Sequence, residues 1–170
     1  MKLSTVVNSR SEEAMKNFSS VDQDYKLWVL LGQAEHAVFK AREKELSHCS
    51  ITTVQAAVLF IIQAIGNEAT PAEISRWLFR KSHSVSGLLS RMEKEGLVRK
   101  VKDLDRKNLV RVTLTEKGQQ AYHRSTKRRS IREIMSCLSE EEHQQLTSCL
   151  ERLRNKALKE LGVNLKPPFP

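Results

Sequence analysis

The amino-acid sequence predicts a mainly α-helical chain with one small β-hairpin, and three observations carry that prediction. Apolar residues recur at helical spacing along most of the 170 residues, and several of the runs open on a Ser, Thr or Asp in capping position. Two short runs, Leu97 to Lys102 and Leu109 to Leu114, depart from this period. They are rich in β-branched residues, and Val110, Val112 and Leu114 alternate with Leu109, Arg111 and Thr113. Charge is also uneven: residues 70 to 111 hold eleven Lys and Arg against five acids, so this segment carries +6 of the chain's +9.

Residues 1 to 22 are polar and read as a flexible arm. Asp22 or Asp24 then caps a long helix running to about Leu46. Leu27, Leu31, Ala34, Val38 and Ala41 form one stripe, and Trp28, Val29 and Leu30 make its first half apolar nearly all round. A helix apolar on several faces must be covered on several faces, and a chain this short points to a second subunit as the cover. The next helix opens at Thr52, where Gln55 completes a capping box, and runs through Val58, Leu59, Ile61 and Ile62 to Gly66. It is expected to be the most buried element of its layer.

Thr70, Pro71 and Glu73 give another helix start, with Thr at N-cap, Pro where its missing N–H is harmless and Glu closing a box. This helix should end near Phe79. Ser82 is read as the N-cap of the following helix, whose apolar face is Val85, Leu88, Leu89 and Met92, and Gly96 stops it. Its other face is small and polar: His83, Gly87, Ser90 and Lys94 lie in line, with Ser84, Ser86 and Arg91 beside them. Two helices joined by a short turn, the second with such a face, make a helix-turn-helix whose second helix can enter a DNA major groove. The hairpin with its basic connector, Asp103 to Asn108, completes a winged helix.

Beyond the hairpin, Thr115 caps a helix in which Gly118 and Ala121 come early and which should continue toward Leu138. Its basic middle, His123 to Ser130, reads as a solvated connector or as a backbone-contacting stretch. Ser139 with Glu142 opens a last helix whose face of Leu146, Cys149, Leu150, Leu153, Ala157 and Leu161 needs a partner, and Gly162 ends it. Three prolines exclude helix from the tail. The expected organisation is an arm at 1–22, a helical dimerisation region from 23–48 and 116–165, a winged helix-turn-helix domain at 49–115, and a tail at 166–170.

The run from Ser82, S-x-S-V-S-x-L-L-x-R-M-E-x-E-G-L-V, followed by a D-R-K turn and V-T-L-T-E-K-G, resembles the MarR family of transcription regulators. The resemblance is dense over about Thr52 to Gly118. Counted back from Val112, the hairpin is one residue longer than the commonest family pattern, so Arg106 and Lys107 are both candidates for the wing arginine role. The resemblance implies a homodimeric regulator, a repressor in this reading, on double-stranded DNA. It also implies release by a small aromatic or phenolic compound, an oxidant or a metal near the junction of two layers.

Roles divide by chemistry. Ser82, Ser84 and Ser86 suit phosphate oxygens or base edges, while His83, Ser90 and Arg91 are candidates for base edges, with Gly87 and Lys94 on the same face. Arg99, Lys102, Arg106, Lys107 and Asn108 are the wing candidates, the tip pair aimed at a minor groove. Thr70, Arg76 and Lys81 belong to the first helix of the motif and its turn. Two such helices about a two-fold axis would read half-sites roughly 34 to 36 Å apart on a pseudo-palindrome. Leu27, Leu31, Leu146, Leu150, Leu153 and Leu161 would form the dimer surface. For Trp28, His36, Phe39 and Cys49 two readings stand open, an effector crevice and plain core.

Other classes fit less well. No P-loop, G-x-G-x-x-G, H-E-x-x-H or G-x-S-x-G motif is present and the five histidines are dispersed, so no enzyme, cofactor or metal site is expected. No apolar run reaches 18 residues and no signal-peptide pattern opens the chain, so a cytoplasmic protein without a membrane partner is expected. Cys49, Cys137 and Cys149 show no C-x-x-C pairing, which suits a reducing compartment. A redox-switched regulator and a nonspecific architectural winged helix are the alternatives.

Overall fold

The computed structural model of the chain describes residues 23–66, 69–102 and 109–163. The expected arm, the wing-tip candidates Arg106, Lys107 and Asn108, and the proline tail lie outside the described residues. In order, the elements are α1 (Gln23–Ser47), α2 (Thr53–Ile65), α3 (Pro71–Leu78), α4 (Ser82–Lys94), β1 (Val98–Lys102), β2 (Val110–Leu114), α5 (Glu116–Ser125), α6 (Arg129–Met135) and α7 (Glu140–Glu160). The fold is mainly helical with one antiparallel hairpin, as the sequence predicts. Two compact units divide it, one ending at Phe39 and one beginning at Lys40.

The first unit contains the N-terminal part of α1, whose Tyr25, Leu27, Trp28, Leu30 and Leu31 are exposed. The second unit holds the core. Thr52 and Gln55 make the full reciprocal capping box, 3.1 and 2.8 Å, and α2 then buries Val58, Leu59, Ile61 and Ile62. Ile74 of α3, Val85, Leu89 and Met92 of α4, Leu97, Val98, Val112 and Ala121 close around it. Each such side chain contributes about 1.5–3 kcal/mol on leaving water. Gly66 ends α2 at a φ of 68°, a left-handed value that favours glycine.

β1 and β2 pair from Val98 with Leu114 to Lys102 with Val110. The Val112 N–H also donates to the Ala69 carbonyl at 2.8 Å, which ties the base of the hairpin to the start of α3. Thr115 caps α5 by accepting from the Gly118 N–H, and its hydroxyl donates to the Gly96 carbonyl. Gly118 is required by packing, since a Cβ there would collide with the Leu97 carbonyl oxygen.

The helix expected to run from Thr115 toward Leu138 is broken. α5 stops at Ser125, Arg128 takes a left-handed φ of 44°, and α6 begins at Arg129. Local hydroxyls occupy the last carbonyls of α5: Ser125 Oγ donates to Tyr122 O at 2.7 Å and Thr126 Oγ1 to His123 O at 2.8 Å. α6 is then caught by a side chain distant in sequence. The Glu45 carboxylate accepts from the Arg129 N–H at 2.8 Å, the Ser130 N–H at 3.2 Å, the Ser130 hydroxyl and Arg42. Burial raises the Glu45 pKa, but the Ser130 hydroxyl, Arg42 and the two N–H groups outweigh it and hold the carboxyl at about 2. Ser139 and Glu142 form the expected box at the start of α7. Leu146, Leu150 and Leu153 on α7 and Leu161 at its C-cap are exposed, while Leu158, off the expected stripe, is buried.

Candidate nucleic-acid interface

α3 starts at the predicted cap: Pro71 fills the first helical position and Thr70 Oγ1 accepts from the Glu73 N–H at 3.2 Å. The box is only half made, because the Glu73 carboxylate pairs with Arg76 one turn on instead of reaching back. Phe79 ends the helix in the left-handed region, one residue before the ring of contacts that sets the turn. The Arg80 N–H donates to Ser75 O at 3.1 Å, and the buried Ser75 hydroxyl donates to Arg80 O. α4 therefore begins after a turn of three residues.

Ser82 is not the N-cap. Lys81 takes that position with extended backbone and no side-chain cap, and the Ser84 and Val85 N–H groups bond to its carbonyl. Ser82 is the first helical residue, and its hydroxyl lies 3.4 Å from that of Ser75. Leaving the first turn without a side-chain cap directs backbone N–H groups outward, where an anionic oxygen can meet them.

The two faces of α4 separate cleanly. Val85, Leu89 and Met92 are fully buried, while Ser82, His83, Ser84, Ser86, Gly87, Arg91 and Lys94 are exposed. Nothing lies within 4 Å of a Cβ built on Gly87, so the outer face is open there. Ser90 differs from its neighbours: it is half-buried, and its Oγ accepts from Lys100 Nζ at 2.8 Å. Lys100 also donates its backbone N–H to Glu93 Oε1 at 2.9 Å and brings its ammonium to 3.3 Å from Glu93 Oε2. The Lys100 N–H, against partial desolvation and with help from the ammonium, holds the Glu93 carboxyl below its ordinary range. These links couple α4 to β1, and neither Lys100 nor Glu93 stands out in sequence, since both look like members of a mixed-charge surface.

Most of the remaining predicted side chains are open to solvent. Arg99 and Lys102 are exposed on β1, and Arg76 and Lys81 are exposed on α3 and the turn. Thr70 is a helix cap whose hydroxyl is engaged internally. The exposed cation Arg80, in the turn between α3 and α4, belongs beside Lys81 and was absent from the predicted set.

The residues open to either an effector-crevice or a core reading fall in both units, Trp28, His36 and Phe39 in the first and Cys49 in the second. Trp28, 65% exposed, and His36 lie along an open face of α1 with Leu31, Gly32 and Glu35. Phe39 is half-buried further along α1, and Cys49 packs against the core of the second unit. The second unit contains a cavity of about 210 Å³ lined by Arg42, Thr53, Ala56, Phe60, Tyr122, Ser125, Arg128 and Ile131. The Arg128 guanidinium stands 4.9 Å over the Phe60 ring. The Thr53 hydroxyl at its wall is buried with no hydrogen-bond partner among the described residues.

Comparison with known proteins gives a consistent pattern. Residues 51–118 match a winged helix DNA-binding domain family. The homoprotocatechuate degradative operon repressor of Escherichia coli is 36% identical over 70 residues, covering 40% of this chain and 47% of that protein. The chain thus spans about half the length of that curated relative. The crystal structure of an organohalide-sensing transcriptional regulator in its 2,4-dichlorophenol-bound form superposes with a TM-score of 0.80 at 33% identity, covering 90% of this chain and 93% of that one. A cysteine-to-serine mutant of MarR from E. coli, complexed with operator DNA, shares the fold at a TM-score of 0.70 and 22% identity, with 75% and 93% covered.

Proposed function

Since the chain belongs to the MarR family of winged helix-turn-helix transcription regulators, we infer that it is a sequence-specific repressor that binds a pseudo-palindromic operator as a homodimer. One observation carries the reading: α4 is fully buried on one side and small, polar and open on the other, and it starts without a side-chain cap. That combination lets backbone and side-chain donors approach DNA edges closely. His83, Ser90 and Arg91 are assigned to base edges, Ser82, Ser84 and Ser86 to phosphates or base edges, and Arg76, Arg80, Lys81, Arg99 and Lys102 to the phosphate backbone. Arg106 and Lys107 remain the wing-tip assignment. Dimerisation is assigned to the 23–48 and 116–165 regions, because α1 and α7 leave Leu27, Leu31, Leu146, Leu150, Leu153 and Leu161 exposed.

The test is fluorescence anisotropy of the purified chain on duplexes enriched from random DNA, against scrambled duplexes, across a salt series. A preference of at least a hundredfold that persists near physiological salt supports the reading. Equal affinities that fall together with salt would leave a nonspecific architectural protein instead.

A small-molecule effector is assigned to the 210 Å³ cavity instead of the α1 face. Its aromatic walls, Phe60 and Tyr122, its cations Arg42 and Arg128, and the unpartnered Thr53 hydroxyl suit a small phenol or aromatic acid. The organohalide-sensing relative was crystallised with 2,4-dichlorophenol, a compound of that class. Titration of 2,4-dichlorophenol should shift the anisotropy midpoint in the wild type and not in a Phe60→Ala, Arg128→Ala chain. An equal shift in both would remove the cavity from the assignment.

A further inference from the structure

We propose that Lys100 is a positioning residue that holds the Ser90 hydroxyl and biases it toward donating to the bound base pair, so that one position in each half-site favours an acceptor-bearing edge. The inference rests on the DNA-binding reading above. An ammonium carries three protons and no lone pair, so the 2.8 Å contact from Lys100 Nζ to Ser90 Oγ has only one polarity. Ser90 accepts there with one lone pair, and the cation polarises the hydroxyl, which strengthens its proton as a donor and weakens its remaining lone pair as an acceptor. A free serine hydroxyl rotates and serves an acceptor or a donor equally, which is why serine reads bases poorly on its own. Polarised by a cation, it is the better donor, which favours guanine N7 or O6, adenine N7 or thymine O4 over the cytosine amino group.

Lys100 is itself held in place. Its N–H and ammonium both reach the Glu93 carboxylate, at 2.9 and 3.3 Å, one turn of α4 beyond Ser90. The ammonium therefore lies between two groups of α4, while its backbone belongs to β1. A lysine so engaged, with its side chain 27% exposed, is poorly placed to act as a phosphate ligand.

The experiment is selection of bound duplexes from randomised DNA by the full chain and by its Ser90→Ala, Lys100→Met, Lys100→Arg and Ser90→Ala/Lys100→Met variants, with thermal unfolding as the folding control. Ser90→Ala and Lys100→Met should each reduce preference at the same position by about three- to tenfold, the size of one hydrogen bond. The double variant should lose no more than either single one, and Lys100→Arg, which still only donates, should retain the preference. Affinity for scrambled DNA and its salt dependence should be unchanged in Lys100→Met. A uniform loss on all sequences with a salt slope lower by about one would make Lys100 a phosphate ligand and overturn the proposal. So would relaxation at a position Ser90→Ala leaves intact. A wild type that enriches no motif would instead overturn the regulator reading itself.

Discussion

Two glycines with the same backbone freedom make opposite demands. Gly118 lies against the Leu97 carbonyl, so Gly118→Ala forces α5 away from the base of β1. The expected loss is about 1–3 kcal/mol of stability, as for other overpacked sites, and denaturant unfolding would measure it. Gly87 faces open space on the outer side of α4, so Gly87→Ala should leave stability equal or raise it by up to about 1 kcal/mol through helix propensity. On the proposed groove assignment the same methyl stands in the path of a base edge and should weaken DNA binding. Unchanged operator affinity in Gly87→Ala would move the contact surface off this face. Arg91 is exposed beside Gly87, and Arg91→Ala should cost about 1–3 kcal/mol of specific binding and relax one base position. A uniform loss on every sequence would reassign Arg91 to phosphate.

Between elements, the informative contact is Glu45, which joins the C-terminal turns of α1 to the start of α6. Its carboxyl lies at about 2 in the fold against an ordinary 4.5, so the proton is bound more weakly folded than unfolded. The stability it contributes is therefore fully present above about pH 4.5 and is lost as the pH falls from there toward 2. Glu45→Gln should remove on the order of 2 kcal/mol at neutral pH and flatten the acid limb of the stability curve. An acid limb identical in both chains would show that other carboxylates set it. This contact also explains why the helix expected from Thr115 to Leu138 breaks. Hydroxyls of Ser125 and Thr126 take the carbonyls of the preceding turn, and a carboxylate from 85 residues away takes the amides of the next. Only the first half of that account is local, and Thr126-Lys127-Arg128 carries no Gly or Pro to announce it.

At the scale of the whole molecule, the exposed leucines of α7 set the expectation. Leu150→Asp with Leu153→Asp should leave the second unit folded, because neither residue belongs to its core, while converting the proposed dimer into a monomer by sedimentation equilibrium. Operator affinity should fall by a hundredfold or more with it, since one half-site is lost. A chain that stays dimeric would place the contact elsewhere. Among the described residues no helix is long and apolar enough to cross a membrane.

Where information is carried by neighbours in the chain, the residues alone determine the outcome. The capping boxes at Thr52 and Ser139, the cap at Thr70, the stop at Gly96, the buried line Val85, Leu89, Met92 and the alternation around Val112 all depend on spacings of two to seven residues. So does the winged-helix order itself. The tertiary structure decides what depends on contacts across the fold: Lys100 bridging Ser90 and Glu93, Glu45 capping α6, Leu97 requiring Gly118, and a cavity assembled from α1, α2, α5 and α6. It also shifts Ser82 one place into its helix, because the cap position depends on how the Ser75–Arg80 turn closes. Helix period and capping act within a few residues, whereas these contacts join groups whose separation in sequence carries no signal of their distance in space.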